Sequence, residues 1–143
     1  MPTLEDAIAL AARAHAGQTD KAGAPYILHL LRVMQAQSSP AARMAGVLHD
    51  LVEDTPHSFA DLEAAGYPDA VVVALRHVTK REGESYANFA ARAGQHPIAR
   101  QVKIADLEDN MDVTRLATVT AKDAERLAKY RRAHRRLTDV DPQ

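Results

Sequence analysis

The chain has no cysteine, and aromatic residues make up only 4% of its 143 residues. Without cysteine there are no disulfides, no thiol nucleophiles and no cysteine-based zinc sites. Any metal must be held by histidine nitrogen and carboxylate oxygen. Charge imbalance is also lacking: 18 Lys and Arg stand against 19 Asp and Glu, for a net charge of −1. Neither nucleic acid nor an anionic membrane is therefore expected as a partner. No apolar stretch approaches the ~20 residues of a membrane span. The N-terminal Met1-Pro2-Thr3-Leu4-Glu5-Asp6 lacks the basic and apolar regions of a signal peptide. The expectation is a soluble cytoplasmic protein. Its length suits one domain, residues 1–143, able to bury a core without covalent staples.

What is present is alanine-rich and helical in period, with β-branched residues scattered and strand alternation absent. Thr3 with Asp6 has the form of a capping box and opens a helix over about 4–16. Helices are predicted over about 26–37, from Ser39-Pro40 to about Glu53, from Ser58 with Asp61 to Gly66, and from Pro68 to about Val78. Others follow from Ser85 to Ala93, over about 97–116, and over 121–137 behind Thr120. The fold class is all-α, a single helical bundle.

The most informative run is Ala45-Gly46-Val47-Leu48-His49-Asp50-Leu51-Val52-Glu53-Asp54. It sets a histidine and three carboxylates at the end of an apolar helix, where the helix dipole disfavours negative charge. Asp50 and Asp54, at i and i+4, repel each other by roughly 0.2–0.5 kcal/mol. A cation seated on the cluster removes both objections. Gly46 costs roughly 1 kcal/mol inside a helix, which points to a packing or site reason. His29 shares an apolar face with Tyr26, Leu30 and Val33. Asp106, Asp109 and Asn110 share a face with Lys103 one turn earlier. His29, His49, Asp50 and Asp106 together make two imidazoles and two carboxylates from three helices. That set suits Mn²⁺, Fe²⁺ or Zn²⁺, and hydrolysis of a phosphorylated substrate is the natural chemistry.

The order His…His-Asp…Asp resembles the signature of the HD phosphohydrolases. Ala14-His15-Ala16-Gly17-Gln18, Lys21-Ala22-Gly23-Ala24-Pro25-Tyr26-Ile27-Leu28-His29, Leu48-His49-Asp50-Leu51-Val52-Glu53-Asp54-Thr55, Val78-Thr79-Lys80 and Val102-Lys103-Ile104-Ala105-Asp106 with Asn110-Met111 are similar, in order, to segments of alarmone hydrolase domains. The resemblance covers about 4–116. It implies an HD-domain bundle in which His29, His49, Asp50 and Asp106 bind a metal, Mn²⁺ first, and Glu53 and Asp54 act on the attacking water. It implies removal of the 3′-pyrophosphate of guanosine tetra- or pentaphosphate (ppGpp, pppGpp). Lys21, Lys80, Arg81, Lys103 and Asn110 are the candidate substrate-binding residues, Lys21 having the best motif support.

Four positions depart from the family pattern, among them Leu107, where an arginine is lost, and Val113, at the threonine position. Asp20 stands where a cation is expected, and Asp109 where a histidine is. Three readings follow: an alarmone hydrolase, an HD hydrolase of another nucleotide such as a nucleoside monophosphate or phosphorylated dinucleotide, and a non-catalytic nucleotide-binding or sensing protein. His15 reads as a buried, hydrogen-bonded histidine near the site. His57, His77, His96 and His134 belong to no constellation. The basic run from Lys129 to Arg136 reads as a solvated helix face.

Overall fold

The computed structural model describes residues 1–139. Its helices are α1 (Leu4–Ala14), α2 (Ile27–Gln35), α3 (Pro40–Leu48), α4 (Leu51–Asp54), α5 (Phe59–Ala64), α6 (Asp69–Val78), α7 (Tyr86–Ala93), α8 (Pro97–Asn110) and α9 (Ala121–Thr138). Among the described residues there is no strand, only an isolated bridge between Thr19 and Pro25. All-α architecture is thus what the chain adopts.

The helix starts follow from local chemistry. Thr3 with Asp6, Ser58 with Asp61 and Thr120 with Asp123 form reciprocal capping boxes, and Ser39 and Ser85 accept a backbone N–H at the starts of α3 and α7. Each such cap is worth about 1 kcal/mol.

Two helix ends differ from expectation. α3 stops at Leu48 instead of running on to Glu53. The His49 ring donates its Nδ1–H to the Gly46 carbonyl at 2.7 Å, the oxygen that the Asp50 amide would take in a continuing helix. The backbone then bends at Asp50, at φ −103° and ψ 3°, before α4 begins. α8 ends at Asn110 rather than near Leu116. Asp112 accepts the Thr114 amide and starts a 3₁₀ turn over Val113–Arg115 instead.

α3 lies at the centre, packed against α1, α2, α6 and α8. Leu30, Val33, Val47, Leu48, Leu51, Val71, Leu75 and Val102 are fully buried there. The cost of Gly46 is explained by packing: a Cβ would sit 3.1 Å from the Met34 Cα, so α2 and α3 approach closely only because none is present. A second apolar cluster, Ala90, Leu107, Ala133 and Leu137, seats α9 on α7 and α8. Three segments distant in sequence thus meet at one end of α3: α2, the α3–α4 bend and α8.

Candidate metal centre

His29 and His49 are 3% and 4% exposed, with ring centroids 5.4 Å apart. His29, His49 and Asp50 each offer an atom, all within 4.8 Å of one another, a spacing that suits a metal ion. Asp106 Oδ1 lies 3.0 Å from His29 Nε2 and 3.3 Å from His49 Nε2. Asp50 Oδ2 lies 3.2 Å from His49 Nε2.

Proton placement is what suits this grouping to a cation. A carbonyl oxygen only accepts, so His49 Nδ1 carries a proton for Gly46. The neutral ring then turns an Nε2 lone pair on Asp50 and Asp106, acceptor against acceptor. His29 repeats the pattern: Nδ1–H donates to Asp109 Oδ2 at 2.6 Å, and Nε2 faces Asp106. Such lone pairs are reconciled by a proton or a cation. Burial opposes charge on His49, but Asp50 and Asp106 outweigh it and hold its pKa well above the usual value. A divalent ion competes for those same lone pairs, so its binding releases protons. The mixed imidazole and carboxylate donor set fits Mn²⁺, Fe²⁺ or Zn²⁺.

Each donor is held from behind. Tyr26 donates its hydroxyl to Asp50 Oδ2 at 2.5 Å. Burial, then the Asp50 charge, raises the phenol pKa, so Tyr26 remains the donor. Asn110 donates to Asp106 Oδ1 at 3.1 Å, and Lys103 Nζ donates to Asp106 Oδ2 at 3.1 Å. Asp109 is clamped by Arg32, whose Nε lies 2.6 Å from Oδ1 and Nη2 3.1 Å from Oδ2. Burial works against charge on Asp109, but His29 and Arg32 outweigh it and depress its pKa. Asp109 therefore fixes the tautomer and tilt of His29. Losing such an outer partner typically weakens metal affinity about 10–100-fold. Asp109→Ala is expected to show that loss in an Mn²⁺ titration and Asp109→Asn, which keeps an acceptor, a smaller one; unchanged affinity in both removes Asp109 from this role.

Two chambers flank the centre and share Tyr26, Asn110 and Tyr130 in their walls. The smaller, about 180 Å³, holds His49, Asp50, Glu53, Asp54, Lys80, Lys103 and Asp106 in its wall. Glu53 Oε1 accepts the Lys80 backbone N–H at 3.1 Å. The larger, about 360 Å³, is lined by His29, Lys21, Arg32, Asp109 and the start of α9.

Not every expected substrate contact lies here. Arg81 lines neither chamber; its backbone amide donates to Glu84 and its side chain is exposed. Lys103, expected among the phosphate binders, is 6% exposed and committed to Asp106, with Nζ 4.6 Å from the Phe89 ring centre. Asp20 accepts the Ala22 and Ala24 amides, both at 2.9 Å, so its carboxylate holds its own loop. His15 is buried, with Nδ1 2.7 Å from Gln18 Oε1, and Gln18 in turn donates to the Asp54 carbonyl. His134 is not solitary: it lies 2.9 Å from Glu108. Arg32, Asp109 as a histidine partner, Tyr26 as the Asp50 donor and Tyr130 are neighbours of the candidate site that the sequence reading missed. Arg32 and Asp109 each lie three residues after a candidate ligand, a helical spacing that signals a shared face.

Asp54 is pushed up to about 6, first by partial burial and then by the charges of Asp50 and Glu53. A carboxylate whose folded pKa exceeds its unfolded value stabilises at low pH, and that contribution is lost as pH rises through about 6. Asp54→Asn should therefore stabilise the chelator-treated protein at pH 8 by roughly 1 kcal/mol, discounted for solvent screening, and leave it unchanged near pH 4. Urea unfolding at the two pH values tests this, and an equal gain at both rules out the charge explanation.

No protein-family model matches the chain. Its sequence is 34% identical over 125 residues to the GTP pyrophosphokinase of Streptomyces coelicolor, a match covering 78% of this chain and 15% of that protein. It is 39% identical over 64 residues to the bifunctional (p)ppGpp synthase/hydrolase SpoT of Escherichia coli, covering 42% of this chain and 9% of SpoT. It is 32% identical over 117 residues to the guanosine-3′,5′-bis(diphosphate) 3′-pyrophosphohydrolase MESH1 of Drosophila melanogaster, covering 74% of this chain and 65% of MESH1. A solved structure of a metazoan SpoT ortholog, described as hydrolysing ppGpp, superposes with a TM-score of 0.80 over 99% of this chain and 90% of that one, at 24% identity. That superposition establishes the fold. The chain spans about 15% of the length of the streptomycete relative, and among the described residues no helix is long and apolar enough to cross a membrane. By sequence the chain is homologous to the hydrolase region of the SpoT and RelA proteins and to MESH1, and its fold is their all-helical HD-domain architecture.

Proposed function

We propose that the protein is a metal-dependent phosphohydrolase that removes the 3′-pyrophosphate of guanosine tetra- or pentaphosphate. The observation that carries this is the convergence of the His29 and His49 Nε2 atoms on Asp50 and Asp106, each ring's Nδ1 already committed elsewhere. Similarity to MESH1, which is named for that reaction, supports it.

His29, His49, Asp50 and Asp106 hold the ion, Mn²⁺ by the family resemblance. When bound, a divalent ion lowers the pKa of water and neutralises phosphoryl charge. Glu53 takes the water proton: it stands in the chamber wall, with one carboxylate oxygen anchored by the Lys80 amide. Asp54, beside it on α4, orients that water. The Lys80 ammonium, which makes no ion pair among the described residues, receives the departing pyrophosphate. Asn110 holds Asp106 in place. Lys103 neutralises Asp106 instead of touching substrate. The chain's partner is thus a small nucleotide.

The activity is tested with purified protein and ppGpp. Mn²⁺ should support pyrophosphate release, a chelator should stop it, and added Mn²⁺ should restore it. No release from ppGpp by Mn²⁺-loaded protein contradicts the substrate. Phosphate release from another nucleotide in a parallel screen would move the reading to a sister HD hydrolase. Tight nucleotide binding without any turnover would move it to a sensor.

A further inference from the structure

The two chambers carry different charge. In the smaller one, Asp50, Glu53, Asp54 and Asp106 outnumber Lys80 and Lys103 by two. One divalent ion cancels that excess. In the larger one, Asp20, Asp109, Asp112 and Asp123 face Lys21, Arg32, Arg115 and Arg126 in equal number.

That parity is achieved by pairing, so the charge of each guanidinium is already countered by a carboxylate. Arg32 forks onto Asp109, whose side chain is only 11% exposed. Drawing Arg32 away would leave a nearly buried carboxylate short of a partner, which is costly. Arg115 donates to the Asp109 carbonyl at 2.8 Å and to Asp112 at 3.0 Å. Arg126 pairs with Asp123, the carboxylate that also caps α9. Lys21, exposed at the rim, makes no ion pair among the described residues. The rest of the wall combines the apolar and aromatic Leu116, Leu127, Tyr26 and Tyr130 with the polar Thr19, His29 and Asn110. A chamber of this size and lining suits a nucleoside.

We propose that the larger chamber takes the nucleoside end of the substrate and offers counter-charge there to one phosphate, through Lys21. The substrate class is then a 3′-phosphorylated nucleoside in which a first 5′-phosphate adds affinity and a second or third adds none. This rests on the hydrolase reading for which end reacts. It goes beyond that reading in stating that the 5′-polyphosphate is not recognised.

The test measures Kd by calorimetry for four compounds: guanosine 3′-diphosphate bearing at 5′ a hydroxyl, a monophosphate, a diphosphate or a triphosphate. The protein is the Glu53→Gln variant in excess Mn²⁺, so that the ligands persist, and turnover by the unmodified chain is followed separately. The first 5′-phosphate should tighten binding about threefold, as an exposed lysine–phosphate pair does, and further phosphates by less than about twofold. Lys21→Ala should erase the first step. Asp112→Asn keeps the oxygen that accepts the Thr114 amide, frees Nη1 of Arg115 while Nη2 stays on the Asp109 carbonyl, and should create a gain at the second phosphate. Tightening of tenfold or more on adding the second phosphate to the unaltered chamber overturns the proposal, as does failure of all four compounds to bind. The Kd pattern with no turnover of any compound would leave the charge inference standing and sink the hydrolase reading; turnover with tenfold tightening would do the reverse.

Discussion

Glu53→Gln should lower pyrophosphate release by about 10²–10⁴-fold, the usual contribution of a positioned general base, and leave Mn²⁺ affinity unchanged. Gln keeps the oxygen that accepts the Lys80 amide, so the link between α4 and the residue following Thr79 survives. What it lacks is a site for the water proton. Glu53 is exposed and belongs to no buried network, so the fold should lose less than about 0.5 kcal/mol. A drop in kcat with an unchanged melting curve and unchanged Mn²⁺ stoichiometry is the expected combination. Full activity in the variant would assign the proton to another group, with Asp54 the nearest alternative. Loss of Mn²⁺ together with activity would make Glu53 a ligand.

Asp106→Ala should destabilise the chelator-treated protein by about 3–5 kcal/mol, because it strands the Lys103 ammonium in the interior. Lys103 and Asp106 are 6% and 8% exposed and lie 3.1 Å apart. Burial opposes charge on Lys103, and Asp106 outweighs it, holding the lysine pKa above its ordinary value. Adding Lys103→Met should recover most of the loss, since a flexible apolar chain can lie against the Phe89 and Tyr86 rings now under the ammonium. Metal binding should stay lost in the double variant. The pair thereby separates the two jobs of Asp106, ligand and counter-ion. Additive losses in urea unfolding, with no recovery, would mean that the two side chains do not stabilise each other.

The helix starts were legible because caps are local: Thr3 with Asp6, Ser58 with Asp61 and Thr120 with Asp123 act within three residues. The ends of α3 and α8 were not, because side chains there displace the helical pattern. His49 takes the carbonyl that would continue α3, and Asp112 begins a new turn after α8. The juxtaposition of His29, His49, Asp50 and Asp106 was legible as an ordered motif. The supporting layer was not. His29 meets Asp109 across 80 residues and Arg32 meets Asp109 across 77, and no local period signals such a pairing. Asp20 and Asp109 both stood out as departures, but their meaning differs. One is spent on a loop; the other replaces a histidine and orients one. Arg81, expected to touch substrate, lines neither chamber; its backbone amide is bound to Glu84 and its side chain is exposed.

An Mn²⁺ titration of the chelator-treated protein, followed by electron paramagnetic resonance and by proton release, bears on the whole scheme. One ion should bind per chain, protons should be released on binding, and His29→Ala, His49→Ala, Asp50→Ala and the Asp106→Ala/Lys103→Met pair should each abolish it. Absence of saturable binding to the unmodified chain, or binding that survives all four changes, would contradict a metal centre at the meeting of α2, the α3–α4 bend and α8.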